Sequence, residues 1–281
     1  MQVYKLKRKK LNLKEFVKRT ALETDANIYI DHDAVIVDED TNEVMVIYKV
    51  LDDTPIHKEV FKLLTKIKYQ SSMRMSGLKN LGETKVFGYV PRMRAKTTDQ
   101  ACRIAKLAKD DPTAHQKLLE YAKVISDVYK DNDENRFNRH QELSKKTNKG
   151  YVIPGTLFTS GIINKNNPLK YHYDSGNYEK VSSAMIAFRY NIDGGNLALP
   201  EYDVKLAIQD RSVTLFDGQS LLHGVTPIIR KSPDAMRFTT VFYSLVGMWK
   251  CLPIDEEIAD ARMSRWESEL KKYERKFGIE L

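Results

Sequence analysis

VSSAMIAFRYNI, Val181–Ile192, is a run rich in β-branched, aromatic and small residues with Asn191 near its end and no helical spacing of its apolar positions. It does not stand alone. TLFTSGII (156–163), GNLALPEY (195–202), VKLAI (204–208), SVTLFDG (212–218) and RFTTVFYSLVGMW (237–249) are of the same kind, and Gly, Asn, Asp and Pro separate them. Short strands at this spacing, with no helical segments between them, predict a double-sheet barrel or jelly roll rather than alternating βα units.

Outward from this region the character changes at Gly150. Residues 98–146, including TTDQACRIAKLAK and PTAHQKLLEYAKVISDVYK, carry helical patterning, the second opening on Pro112. Residues 71–97 have three glycines and no sustained period, which predicts a long irregular segment of the kind that often carries function. Earlier still, Thr54-Pro55 marks a helix start, and NIYIDHDAVIVDEDTNEVMVIYKVL reads as short strands broken at the acidic turn Asp38–Asn42. At the other end, residues 253–277 form one long helical pattern, with acids early and bases late as the helix dipole favours. The expected class is α+β, with a basic strand-and-helix region over 1–150 packing on a β core with a C-terminal helix over 151–281.

Composition narrows the class further. No apolar run approaches the roughly 18–20 residues needed to cross a bilayer, and no apolar signal core follows the basic N-terminus. The expectation is an intracellular, cytoplasmic protein with no membrane partner. Cys102 and Cys251 lie far apart with no metal-like spacing, and are expected to be reduced packing residues. The net charge of +8 is uneven: residues 1–19 carry eight Lys/Arg against one acid, 20–53 one against ten, 54–150 21 against 11, and 151–281 16 against 16. A basic N-terminal half suits a phosphate-rich partner, because neutralising phosphates releases counterions; solvated helix faces are the plainer reading of the same charges.

The chemistry centres on KYHYDSGNY, Lys170–Tyr178. In an extended chain, side chains at i and i+2 share a face, so His172 and Asp174 can aim at one point. A histidine from a later strand would complete the facial triad of a non-haem Fe(II) oxygenase, and His223 in SLLHGVTPI is the only histidine beyond position 172. An oxygenase of this kind that uses 2-oxoglutarate needs a cation for the distal carboxylate, and a guanidinium binds it bidentately. Arg237 opens the last β run 14 residues after His223, with Thr239 on the same face; Arg230, on a basic turn, is its competitor.

Taken together, HYDSGN, GGNLALPEY, LLHGVTP and RFTTVFY, with RMSGL and FGYVPR upstream, resemble the TET/JBP family of 2-oxoglutarate and Fe(II)-dependent DNA dioxygenases, especially its compact bacteriophage and bacterial members. The resemblance implies a double-stranded β-helix, jelly-roll or cupin-like, with flanking helices. It implies Fe(II) on His172, Asp174 and His223, 2-oxoglutarate on Arg237 assisted by Thr239, and O2 as co-oxidant. The implied reaction is hydroxylation of the 5-methyl group of a pyrimidine in DNA. Since a stacked base cannot reach a buried metal, the target would be flipped out. Strand contacts are expected on Arg74, Ser76, Gly77, Arg92 and Arg94.

Asn177 stands where the family's residue faces the exocyclic group of the base, and an amide suits either the amine of 5-methylcytosine or O4 of thymine. Asn177 does not decide between them; the resemblance to compact members of the family implies 5-hydroxymethylcytosine as the favoured product and 5-hydroxymethyluracil as the alternative. A protein or nucleotide hydroxylase, and a non-catalytic nucleic-acid-binding module, are the alternatives. Cysteine-rich zinc segments of larger family members have no counterpart in this chain.

Overall fold

The structure is a computed structural model that describes residues 1–71, 82–95 and 98–277. Its main sheet runs in spatial order Gln2–Leu6, Ala34–Asp38, Val44–Val50, Ser212–Phe216, Ser183–Tyr190, Met236–Tyr243, Ser160–Lys165, Glu83–Val90 and Gln70–Ser71, with Arg103–Ile104 also paired to Glu83–Val90. A smaller sheet, Gly224–Val225, Leu197–Leu199, Val204–Leu206 and Ile28–Ile30, lies over one face. Pairing is antiparallel except for Gln2–Leu6 with Ala34–Asp38 and Val204–Leu206 with Ile28–Ile30. This is the α+β, double-sheet architecture expected from the β runs.

The central strand Ser183–Tyr190 explains why its sequence is a continuous apolar run. Met185 and Ala187 point between the sheets, where Leu197, Leu199, Val204 and Leu206 meet them. Ala184, Ile186 and Phe188 point the other way, into a core with Leu118, Tyr121 and Ile125. With both faces covered, alternation disappears from the sequence. Each large side chain buried in this way stabilises the fold by roughly 1.5–3 kcal/mol.

The covering helices are Pro55–Leu64 and Pro112–Asn132. The second starts where Asp111 accepts the amide of Ala114 at 2.9 Å and Pro112 occupies the first turn. Its residues Leu118, Tyr121, Ala122, Ile125 and Tyr129 form the buried stripe. The first helix also starts at Thr54-Pro55, but the Thr54 hydroxyl pairs with His57 Nδ1 at 3.0 Å rather than capping the helix backbone.

Three expectations need correction. Residues 71–97 are not one irregular segment: Glu83–Val90 is a strand of the main sheet held by Ser160–Lys165, and Met93–Ala95 pairs with Thr98–Gln100. TTDQACRIAKLAK is not one helix: it forms the short strands Thr98–Gln100 and Arg103–Ile104, then a single turn Leu107–Asp110. The cause lies far away in the sequence. Ile104 and Arg103 pair with Tyr89 and Val90, and the Cys102 amide donates to Glu257 Oε2 at 3.1 Å. The cysteines are likewise not separate thiols, since Cys102 and Cys251 form a disulfide across 149 positions. Closing so long a loop restricts the unfolded chain, so reduction is expected to cost about 2–5 kcal/mol of stability. Melting curves with and without reductant, with peptide mass spectrometry under non-reducing conditions, check this; equal melting temperatures for the linked and reduced forms would refute it.

Among the described residues no helix is long and apolar enough to cross a membrane.

Candidate metal centre

His172 and His223 face each other in an isolated antiparallel bridge, each donating its amide to the other's carbonyl, at 2.9 and 3.1 Å. The HxD segment is thus not a full strand, as the i, i+2 reading supposed, but the needed geometry survives. Asp174 donates its amide to Gly218 O at 2.8 Å, so residues 172–174 run alongside 218–223 and both side chains project to one side.

Each imidazole is fixed by its own backbone. His172 Nδ1–H donates to Lys170 O at 2.7 Å, and His223 Nδ1–H donates to Leu221 O at 2.9 Å. A carbonyl only accepts, so both Nε2 atoms are left as lone-pair donors. These Nε2 atoms lie 3.7 Å (His172) and 3.9 Å (His223) from Asp174 Oδ1, and the three ligand atoms all fall within 4.8 Å of one another. Burial pushes the His223 pKa well below the ordinary imidazole value, with His172 beside it adding to the effect; a neutral ring is the form that binds a metal. Two neutral imidazoles and one carboxylate fit a divalent cation of the facial-triad type.

The carboxylate is positioned from its other oxygen. Asn177 Nδ2 donates to Asp174 Oδ2 at 3.3 Å and to Ser183 Oγ at 3.2 Å. Gly218 makes room: a Cβ there would stand 2.3 Å from Asp174 Oδ2. Phe216 sets its edge against His223, with ring centroids 5.0 Å apart. His172 and Asp174 are half-buried and His223 is buried, so the group opens to solvent on the HxD side.

Arg237 lies in the strand Met236–Tyr243 opposite Arg189, and Thr239 lies opposite Ala187. Alternation therefore turns both toward the space between the sheets. Arg237 is 1% exposed, and among the described residues none of its three guanidinium nitrogens has a hydrogen-bond partner. Burial, and secondarily Arg189, push its pKa down to about 9. An orphaned buried guanidinium is the feature expected of a site for a carboxylate ligand. Gly195, at φ +65°, borders it, and a Cβ there would lie 3.0 Å from Arg237 Cδ and Nε. Arg230, by contrast, is exposed and donates to Ala235 O at 2.9 Å and to Pro233 O on its own turn.

Of the expected strand contacts, Arg74, Ser76 and Gly77 lie outside the described residues. Arg92 is engaged by Glu257 at 3.0 Å and Asp260 at 2.5 Å, and Arg94 belongs to the short strand Met93–Ala95, paired with Thr98–Gln100. Ser183, Gly195 and Gly218 were missed as parts of the site. The double glycine Gly194-Gly195 was a readable signal, since both residues take positive φ.

The model of the Tet/JBP family, described as the oxygenase domain of the 2OGFeDO superfamily, matches residues 89–245, which include all five residues of the triad and the Arg237–Thr239 pair. A bifunctional helicase and thymine dioxygenase JBP2 of Trypanosoma brucei brucei (strain 927/4 GUTat10.1) is 25% identical over 171 residues, covering 59% of this chain. The match spans only 15% of that relative's length. The solved structure of NgTET1 in complex with 5mC DNA superposes with a TM-score of 0.56 at 17% identity, covering 82% of this chain and 83% of that one, a likeness of fold.

Proposed function

The chain belongs to the Tet/JBP family of 2-oxoglutarate and Fe(II) oxygenases, and from that premise we propose that it hydroxylates the 5-methyl group of a flipped-out pyrimidine in DNA, 5-methylcytosine before thymine. The observation that carries the reading is the convergence of two imidazole Nε2 atoms and one carboxylate in a core that also holds a guanidinium with no hydrogen-bond partner among the described residues. His172, Asp174 and His223 would hold Fe(II), and Arg237 with Thr239 would hold the distal carboxylate of 2-oxoglutarate. When bound, these cofactors with O2 supply a two-electron oxidation in which one oxygen atom enters a C–H bond and the other leaves in succinate, with release of CO2.

The remaining work falls to the protein. The two Nδ1–H bonds hold the imidazoles in one tautomer, so the ligand set is built before the metal arrives. Asn177 ties back Asp174 Oδ2 and leaves Oδ1 toward the histidines.

The same amide bears on the choice of base. A carboxylate can only accept, so Asn177 must turn its NH2 toward Asp174, which leaves its carbonyl oxygen for the substrate. An acceptor matches the N4 amine of 5-methylcytosine and opposes O4 of thymine. The relatives stand on both sides, one a thymine dioxygenase and one solved with 5mC DNA.

Nucleoside mass spectrometry tests the reading on two duplexes, one carrying 5-methylcytosine and one with thymine as its only methylated base, incubated with Fe(II), ascorbate and 2-oxoglutarate. The expected result is 5-hydroxymethylcytosine in at least about tenfold excess over 5-hydroxymethyluracil, because a mismatched polar contact in a buried site is costly. An excess of 5-hydroxymethyluracil would reverse the assignment of the base. Neither product from metal-loaded protein would point to a protein or nucleotide substrate.

A further inference from the structure

We propose that the basic N-terminal arm is a strap that positions the metal ligands, with Arg8, acting through Glu201, as the positioning residue for His223; this rests on the metal-centre reading above. Two of the arm's arginines point inward. Arg8 donates through Nε and Nη2 to Glu201 Oε1 at 3.0 and 2.7 Å, and through Nη2 to Ser220 O at 2.6 Å. Glu201, buried at 7% exposure, accepts the amide of Leu222 on its other oxygen at 2.7 Å. Leu222 immediately precedes His223, and Leu221 supplies the carbonyl that fixes the His223 tautomer. One ion pair therefore holds the chain at 220 and 222, on either side of that carbonyl.

The same arm grips the other histidine. Lys18 donates its amide to Tyr171 O at 2.8 Å, and Tyr171 returns a bond to Arg19 O at 3.0 Å, directly before His172. Lys18 takes φ 68° to make this turn, a conformation that costs energy for a side chain other than Gly or Asn. Arg19 stacks over Phe16 and Tyr171 and joins Asp25 at 2.8 Å, while Tyr171 OH donates to the other oxygen of Asp25 at 3.0 Å. Behind this, Gly224 packs so closely that a Cβ would lie 2.8 Å from Tyr171 and 3.1 Å from Ala21.

The arm thus holds the backbone of the residue before each imidazole ligand. Groups that orient metal ligands affect affinity strongly although they never touch the ion. Without Arg8, Glu201 would be a buried carboxylate with no paired cation among the described residues, and its escape to solvent would release Leu222. Lys10 and Lys14 on the same arm remain exposed.

The test compares Arg8→Met, Arg8→Lys, Glu201→Gln and the arm control Lys10→Met, each in this 281-residue chain, with the unaltered chain. The readouts are Co(II) affinity, the visible ligand-field spectrum of the Co(II) form, and the melting temperature of the metal-free protein. Arg8→Met is expected to weaken Co(II) binding by about 10–100-fold and to change the spectrum. Arg8→Lys and Glu201→Gln, which keep part of the clamp, should fall between it and the unaltered chain, and Lys10→Met should match the latter. If Arg8→Met does not fold, Arg8→Lys and Glu201→Gln decide. Unchanged Co(II) affinity and spectrum in the folded variants would overturn the strap. Failure of the metal-centre reading looks different: the unaltered chain would bind no Co(II), or Asp174→Ala would bind it as well as the unaltered chain does.

Discussion

Asp174→Ala is expected to abolish 2-oxoglutarate turnover while leaving DNA affinity intact or slightly raised. Asp174 is the only anionic member of the three-residue set, and both imidazole Nε2 atoms lie within 3.9 Å of its Oδ1. Its loss leaves two neutral ligands, and metal affinity should fall by well over about 100-fold, beyond what is seen when a group behind a ligand is lost. Removing a negative charge from the open side of the site takes away no phosphate contact and reduces repulsion of the DNA backbone. Succinate release and fluorescence anisotropy at fixed salt, measured on the same preparation, separate the two effects. A parallel fall in both would place Asp174 in a structural role.

Arg237→Met is expected to move two quantities in opposite directions. The half-saturating concentration of 2-oxoglutarate should rise at least about 100-fold, because a desolvated, charge-assisted contact is lost. The protein without cosubstrate should nonetheless become more stable. In the unaltered chain a guanidinium is held in the core with no hydrogen-bond partner among the described residues, at a cost reflected in a pKa pushed down to about 9 by burial first and by Arg189 second. An apolar side chain of similar length removes that cost, which for a buried unpaired charge amounts to several kcal/mol and to a rise of several degrees in melting temperature. In the same scans 2-oxoglutarate should stabilise the unaltered chain and not the variant. Unchanged cosubstrate dependence would remove Arg237 from the role, and a lower melting temperature would mean that its stem, not its charge, dominates.

Stability and ligand binding thus conflict at position 237. The same tension recurs at Lys18, held at positive φ beside Tyr171, and at Gly195 and Gly218, where any side chain would collide with Arg237 or Asp174.

Sequence alone determined what depends on short-range pattern and side-chain chemistry. The β runs marked the two sheets because each run is bounded by turn residues. Pro112 marked a helix start because its fixed φ acts within one turn. His172 and Asp174 could be placed on one side because extended chain alternates, even though only one bridge holds them. Tertiary structure alone decided the rest, because those outcomes rest on partners distant along the chain. Residues 98–100 and 103–104 are strands despite a helical pattern because Met93–Ala95 pairs with the first and Tyr89 and Val90 with the second, while Glu257 takes up the Cys102 amide between them. The cysteines pair because folding brings together positions 149 apart. Arg237 and Arg230 are alike as residues and differ only in surroundings, one between two sheets with no hydrogen-bond partner among the described residues and the other bonded to its own turn. The arm reads as a phosphate-seeking charge run until the folded chain turns Arg8 onto Glu201, where local charge density carries no information about which cations face inward.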